Sequence, residues 1–402
     1  MNLTENIYKL KGKIMHYAWG GDAFIPEFLG IDNPEHQPFA EYWMGAHPLA
    51  SSELYTIEGQ VSLYKLIKED PSLMISESVF TRFGELPYLL KVQDVKDILS
   101  IQVHPSKTEA EKGFDREEAA GIPIDAPYRN YKDRNHKPEM LVALSDFWLL
   151  HGFRQKAAIE KVLEETPEFT ILAPLFKREG LQSLFQFVME MEQPEVNAIL
   201  INLVKREIRK KNDGELTKEM PGWWVAKLFE GKDEIGNIDR AVFSIYLFNI
   251  VNLDPGQGLF QGAGIPHAYM QGQCVELMAN SDNVLRAGLT PKHIDVPELI
   301  KHTHFESIVP AVMTGEDVLP GEKIYSCPVP DFGIAKIDLT AELGYSNTAV
   351  SLEIMVVTSG GALVNNRLVL KRGEAFAVLP GAGYTIQASG TCTLFKAFVP
   401  VV

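Results

Sequence analysis

The chain has 402 residues, room for two or three domains of about 150 residues each and for a substantial buried core. Acidic residues number 53 against 38 basic ones, a formal charge of −15, which excludes a phosphate-backbone partner such as DNA or RNA but not a local pocket for one small anion. The cysteines Cys274, Cys327 and Cys392 are far apart without C-x-x-C spacing, and the longest apolar run, near Ile245 to Val251, is too short to cross a bilayer. With no charged start followed by an apolar stretch, the expectation is a soluble protein of the reducing cytoplasm. A monomer is expected, with a dimer left open, and no membrane partner.

From Tyr8 to about Phe153 the sequence reads as short strands broken by Gly and Pro, with amphipathic helices near Leu63 to Lys68 and Lys107 to Ala119. Between about Gln155 and Lys232 helix formers at helical spacing take over, as in Ala157 to Leu163 and Glu195 to Val204. After Val242 strands are expected to resume, and the chain then repeats its own grammar. A turn glycine, a short strand and a Gly-rich turn lead to His267 in the segment from Gly256 and, at the same offset, to Tyr384 in the segment from Gly373. The fold class is therefore mainly β with a helical insertion and two jelly-roll units, the first able to bind a metal and the second not. The expected division is a catalytic unit of residues 1–153 plus 241–310, a helical insertion over 154–240 and a C-terminal β unit over 311–402.

Three segments carry the chemistry. Ser100-Ile101-Gln102-Val103-His104, His136-Lys137-Pro138-Glu139 and Pro266-His267-Ala268-Tyr269 offer imidazoles, a carboxylate and an amide oxygen. Alternation along a strand puts Ser100, Gln102 and His104 on one face, and Lys137 with Glu139 on one face with His136 turned away. Pro105 and Pro138 keep both segments extended. Such a set suits Zn²⁺ with a position free for water or substrate, and Co²⁺ or Mn²⁺ as substitutes.

The segments Ser100 to Pro105, Asn135 to Met140, Ile265 to Tyr269 and Ala279 to Lys292, with Tyr17-Ala18-Trp19-Gly20 near the start, resemble the type I mannose-6-phosphate isomerases of the cupin superfamily. The resemblance extends over essentially the whole chain and implies cupin-type jelly rolls. It also implies interconversion of mannose 6-phosphate and fructose 6-phosphate by proton transfer between C1 and C2. By it Gln102, His104, Glu139 and His267 match the zinc ligands and Arg286 the catalytic arginine. Glu276, Lys137 and Asp282 match further catalytic positions, and Ser100, Lys91 and Lys292 fall where the family lines its active site and phosphate pocket.

This chemistry needs a Lewis acid for the oxygens of an enediolate, a fixed cation beside the oxyanion, and a base for the C1/C2 proton. Glu276 is the first candidate for the base, because alternation in Gln273 to Met278 sets it opposite Val275 and Leu277. Asp282 is expected to orient Arg286, and Lys137 either to serve the ring oxygen or to hold Glu139. Trp223-Trp224 reads as packing, His302 and His304 as surface residues, and Lys205 to Lys211 as the wet face of a helix. Two other readings stay open: an Fe²⁺ oxygenase built on the two His and one carboxylate, and a non-catalytic sugar-binding cupin.

Overall fold

The structure, a computed structural model, describes residues 5–232 and 234–400. Its β elements form antiparallel ladders in sheets of nine, ten and four strands. The nine-stranded sheet lies in the middle, because the strand Glu353–Ser359 is buried on both faces. Ile354 and Val356 point toward Leu90, Val92, Val275 and Leu277 of the ten-stranded sheet. The alternate residues Met355 and Val357 point toward Val364, Tyr384 and Ile386 of the four-stranded one. Burial on two faces explains why this strand reads as a continuous apolar run rather than as an alternation.

The amino-terminal strand Ile7–Lys11 does not join the sheet of the metal segments. It pairs with Ala375–Val378 on one side and with Glu53–Thr56 on the other, completing the nine-stranded sheet. The ten-stranded sheet holds the strands Glu41–Gly45, Tyr88–Val95, Gln102–Val103, Glu139–Ala143, Phe147–Phe153 and His267–Ala279. The last of these is bent. Its first residues pair with Phe147–Phe153 and its second half with Tyr88–Val95 and Glu139–Ala143. Gly272 at the bend has φ 120°, and a Cβ there would lie 2.6 Å from the Asp146 carbonyl oxygen, so only glycine suits the corner.

Helices form where caps and periodicity agree. Leu63–Glu69 and Lys107–Ala119 match expectation, each opened by a serine, Ser62 and Ser106, whose hydroxyl accepts from the backbone N–H three residues on. The insertion contains Lys156–Glu165, Ala173–Glu190, Gln193–Asn212 and Pro221–Lys227. These pack on the outer face of the metal-site strands through Ile101, Val103, Ala268 and Met270. Trp224 is fully buried there, its ring 5.8 Å from that of Trp148. One expectation fails at the end of the insertion. Residues Ala241–Leu247 are helical and the strand begins only at Phe248, because this helix is buried on every side and shows no polar face in its sequence.

The repeated grammar has a conformational counterpart. Gly256 and Gly373 have φ of 87° and 85°, Gly264 and Gly381 of 79° and 80°, and the strands Gly258–Gln261 and Ala375–Val378 follow at the same offset.

Candidate active site

The ligand candidates converge because three strand ends meet. Gln102 lies opposite His267 on one side and opposite Arg286 on the other, His104 follows its strand, and Glu139 opens its own. His104, Glu139 and His267 are buried, and their donor atoms lie within 4.8 Å of one another. Glu139 faces both rings, with Oε1 at 3.3 Å from His104 Nε2 and Oε2 at 3.2 Å from His267 Nε2. A tetrahedral ion with bonds of about 2.0 Å separates its ligands by about 3.3 Å, so the spacing suits Zn²⁺.

Both rings are locked with Nε2 inward. The Nδ1 of His104 lies 2.8 Å from the Asn283 carbonyl and that of His267 lies 2.9 Å from the Ile265 carbonyl, the outer hydrogen bonds that fix a metal-binding tautomer. Among the described residues His104 Nε2 is buried with no hydrogen-bond partner, an unmet bonding position that a cation would fill. Burial depresses the His104 pKa to about 4, which keeps the ring neutral and its lone pair free. Burial alone would raise Glu139, but Lys137 and His104 outweigh it and hold that carboxyl well below the usual range. The donor set therefore fits the metal that the sequence implies.

Beside the cluster lies a charged row set by sheet register. Trp43, Lys91 and Glu276 are cross-strand neighbours in one row, and Glu41, Gln93 and Cys274 in the next. The Glu276 Oε2 accepts from Lys91 Nζ at 2.9 Å and from Gln93 Nε2 at 2.8 Å, and its Oε1 accepts from the Tyr269 hydroxyl at 2.7 Å. Burial pushes Glu276 above the ordinary carboxylate range against the pull of Lys91, with Glu139 and Glu41 adding repulsion. Lys91, expected in the phosphate pocket, is itself enclosed. Burial would lower its pKa, but Glu276 and Glu41 more than reverse this and keep it an ammonium.

The remaining candidates surround these groups. Lys137 Nζ stands 3.2 Å from Glu139 Oε1. Arg286 is half-buried, has no ion-pair partner within 4 Å among the described residues, and is depressed by burial. Its charge is available to a substrate. Asp282 lies in a loop, not a helix, and sits 3.3 Å from His47 Nε2 rather than on Arg286; this hydrogen bond lowers its pKa. Ser100 is half-buried just before the Gln102 strand. Lys292 is exposed and is lowered by burial of its stem and by the nearby Arg286 charge. His136 turns away, as alternation requires, to Asp331 at 3.0 Å.

Glu41, Gln93, Tyr269 and Asn283 join this site without having been assigned a part from sequence. For Glu41 and Gln93 the signal was the alternation that places Lys91 with Gln93 and Glu41 with Trp43. His302 is buried rather than on the surface, bonded to Tyr131 and Glu298. A cavity of about 50 Å³ connects Glu41, Lys91, Gln102, Lys137, Glu139, His267 and Glu276. A larger groove of about 570 Å³ by Tyr8, Tyr55 and Arg367 shares no lining residue with it. Its cations Lys9 and Arg367 are already paired with Glu374 and Glu5, so volume does not locate the chemistry.

Antiparallel sheets that bring this nitrogen and oxygen donor set beside a buried carboxylate held by a buried ammonium define a cupin-fold metalloenzyme. The profile of phosphomannose isomerase type I, catalytic domain, matches residues 7–156. Mannose-6-phosphate isomerase of Salmonella typhimurium is 39% identical over 97% of this chain and 99% of its own, and that of Mus musculus 33% over 99% and 97%. Among solved structures, a mannose 6-phosphate isomerase from Salmonella typhimurium bound to fructose 6-phosphate and zinc has a TM-score of 0.87 at 36% identity, covering 99% of this chain and 100% of that one. The chain belongs to the type I mannose-6-phosphate isomerase family.

Proposed function

We propose that this chain is a zinc-dependent isomerase that interconverts mannose 6-phosphate and fructose 6-phosphate. The observation that carries the reading is the meeting of the His104, Glu139 and His267 donor atoms beside buried Glu276, in a chain alike over nearly its full length to enzymes of that name. Bound to these residues and Gln102, zinc supplies Lewis acidity for the substrate oxygens without any change of oxidation state. Glu276, its proton affinity raised by burial, carries the proton between C1 and C2, a contribution of about 10²–10⁴-fold for a positioned base. Arg286, a cation with no ion-pair partner among the described residues, meets the developing enediolate oxyanion. Lys137, 3.2 Å from Glu139 Oε1, holds Glu139 in place or serves the ring oxygen. Asp282 is tied to His47 rather than to Arg286, and Ser100 and Lys292 receive the phosphate. Lys91 serves first as the counter-ion of Glu276.

The division into residues 1–153 with 241–310, 154–240 and 311–402 belongs to the same proposal, as does a cytoplasmic setting. The repeated positive-φ glycines support two jelly-roll units. In the second, Tyr384 donates to Glu353 at 2.6 Å and Lys396 lies 2.6 Å from Glu322. The interior of this unit thus holds a buried ammonium paired with a carboxylate.

The test is a coupled assay of fructose 6-phosphate formation from mannose 6-phosphate, before and after chelation and after zinc is restored. Activity lost to chelator and regained with zinc is expected. Arg286→Ala should lower kcat by about 10²–10³-fold, the usual cost of one oxyanion-stabilising group, with zinc content retained. No turnover by stoichiometrically zinc-loaded protein would refute the assignment.

A further inference from the structure

The buried row beside the metal cluster contains two carboxylates and one ammonium. Lys91 Nζ lies 2.9 Å from Glu276 Oε2 and 3.6 Å from Glu41 Oε1. The Gln93 amide nitrogen donates to the same two oxygens, at 2.8 Å each, and its carbonyl accepts from Cys274 Sγ, which fixes which way the amide points. Trp43 Nε1 donates to the other oxygen of Glu41 at 2.7 Å. Glu41, Lys91, Gln93 and Glu276 are all nearly inaccessible to water. Every contact made by the two carboxylates in this row is thus with a donor. One lysine and one amide are shared between Glu276 and a second acid that the reaction itself does not require.

We propose that Glu41 is a positioning residue which, by sharing Lys91 and Gln93 with Glu276, keeps Glu276 a stronger base than a private lysine would allow. The inference rests on the role of Glu276 given above. An undivided ammonium at 2.9 Å would hold the Glu276 proton affinity down, and a strongly paired carboxylate is a poor base. Drawing part of that charge toward Glu41, and adding a second negative charge across the strand, has the opposite effect while the hydrogen bonds still fix where the carboxylate points. The other groups facing Glu276 are Tyr269 and Cys274 on its own strand and Glu139 and Lys137 on the neighbouring segment; substitution of Glu41 leaves all of them in place.

The experiment compares pH profiles of kcat and kcat/KM for zinc-loaded full-length protein and the variants Glu41→Gln, Trp43→Phe and Glu276→Gln, with zinc content and melting temperature recorded for each. Glu41→Gln is expected to move the acidic limb down by about one pH unit, the size of shift a neighbouring charge produces, and to lower plateau kcat several-fold. Trp43→Phe frees Glu41 to draw harder on Lys91, so it should move the limb up; the opposite signs separate charge sharing from loss of packing. Glu276→Gln should abolish the limb. If Glu276→Gln does so but Glu41→Gln leaves the limb where it was, Glu41 has no such part and the base assignment stands. If Glu276→Gln retains the limb, the base assignment itself is wrong. Should Glu41→Gln not fold, an unmoved limb in Trp43→Phe overturns the proposal alone.

Discussion

At the residue scale, the proposed metal ligands depend on one asparagine that is not among them. The carbonyl of Asn283 accepts from His104, and its side chain anchors the loop. Nδ2 donates to the Asp133 and Asn135 carbonyls at 2.8 Å each, and Oδ1 accepts from the Lys132 N–H at 2.7 Å. Asn283 is wholly buried, so Asn283→Ala strands several backbone groups and releases the acceptor that orients His104. The expected result is a loss of zinc affinity of about 10–100-fold, as for other outer partners of metal ligands, measured by competition with a chromophoric chelator. Unchanged affinity would mean that the His104 ring is held by packing alone. The convergence of His104, Glu139 and His267 was legible because strand alternation and two prolines dictate which side chains share a face. Asn283 was not, because its part is played through a main-chain carbonyl and through contacts with residues about 150 positions away, and no local period records either.

At the element scale, the helix Lys107–Ala119 was visible through Ser106 and the periodic residues after it. The helices Phe24–Leu29, Pro71–Ile75 and Glu77–Phe83 were not, since Pro26 and Pro71 read as breakers and Glu77–Phe83 buries only Val79, whereas the equally short Leu63–Glu69 buries Leu63, Leu66 and Ile67 at helical spacing. What joins the Lys107–Ala119 helix to the helix Val296–His302 was equally hidden. Glu298 accepts from the Tyr131 hydroxyl at 2.6 Å and lies 3.0 Å from both His302 Nε2 and Arg116. The ring of Tyr131 presses on Gly113, where a Cβ would meet it at 2.2 Å. The His302 hydrogen bond leads in holding the Glu298 carboxyl far below the usual range, with Tyr131 and Arg116 adding to it against the effect of burial. A depressed native pKa stabilises the fold above the unfolded value of about 4.3. That stability is lost progressively as pH falls below it toward the native value. Glu298→Gln should therefore be less stable than the parent at pH 7 by about 1–3 kcal/mol, the worth of hydrogen bonds to a charged group. The gap should narrow on acidification from pH 5 to pH 3, read by urea denaturation at each pH. A gap independent of pH would show that shape, not charge, holds the two helices together.

At the scale of the whole molecule, the sequence order suggests a C-terminal unit appended to a catalytic one, but the sheets are interleaved. Ile7–Lys11 lies between Ala375–Val378 and Glu53–Thr56, a pairing across nearly the full length of the chain that no local pattern reveals. One apolar cluster holds Met44, Leu90, Val92, Val275 and Leu277 of the metal-site sheet together with Ile354, Val356, Phe395 and Ala397. The buried Tyr88 hydroxyl also donates to the Leu352 carbonyl at 2.8 Å, so even its polar contacts cross the boundary. A fragment ending at residue 310 would leave one edge of Ile7–Lys11 unpaired and bare the inner face of the ten-stranded sheet. Fully exposing one large aliphatic or aromatic side chain costs about 1.5–3 kcal/mol. A handful of such losses matches the 5–15 kcal/mol of a typical domain. The fragment 1–310 should accordingly appear in the insoluble fraction, or show no cooperative melt when recovered, although it retains every proposed ligand and Arg286. Co-expression with residues 311–402 should restore soluble, zinc-binding protein if the loss is one of packing. A soluble fragment 1–310 that melts cooperatively and binds one zinc would show instead that the C-terminal strands are a dispensable cover.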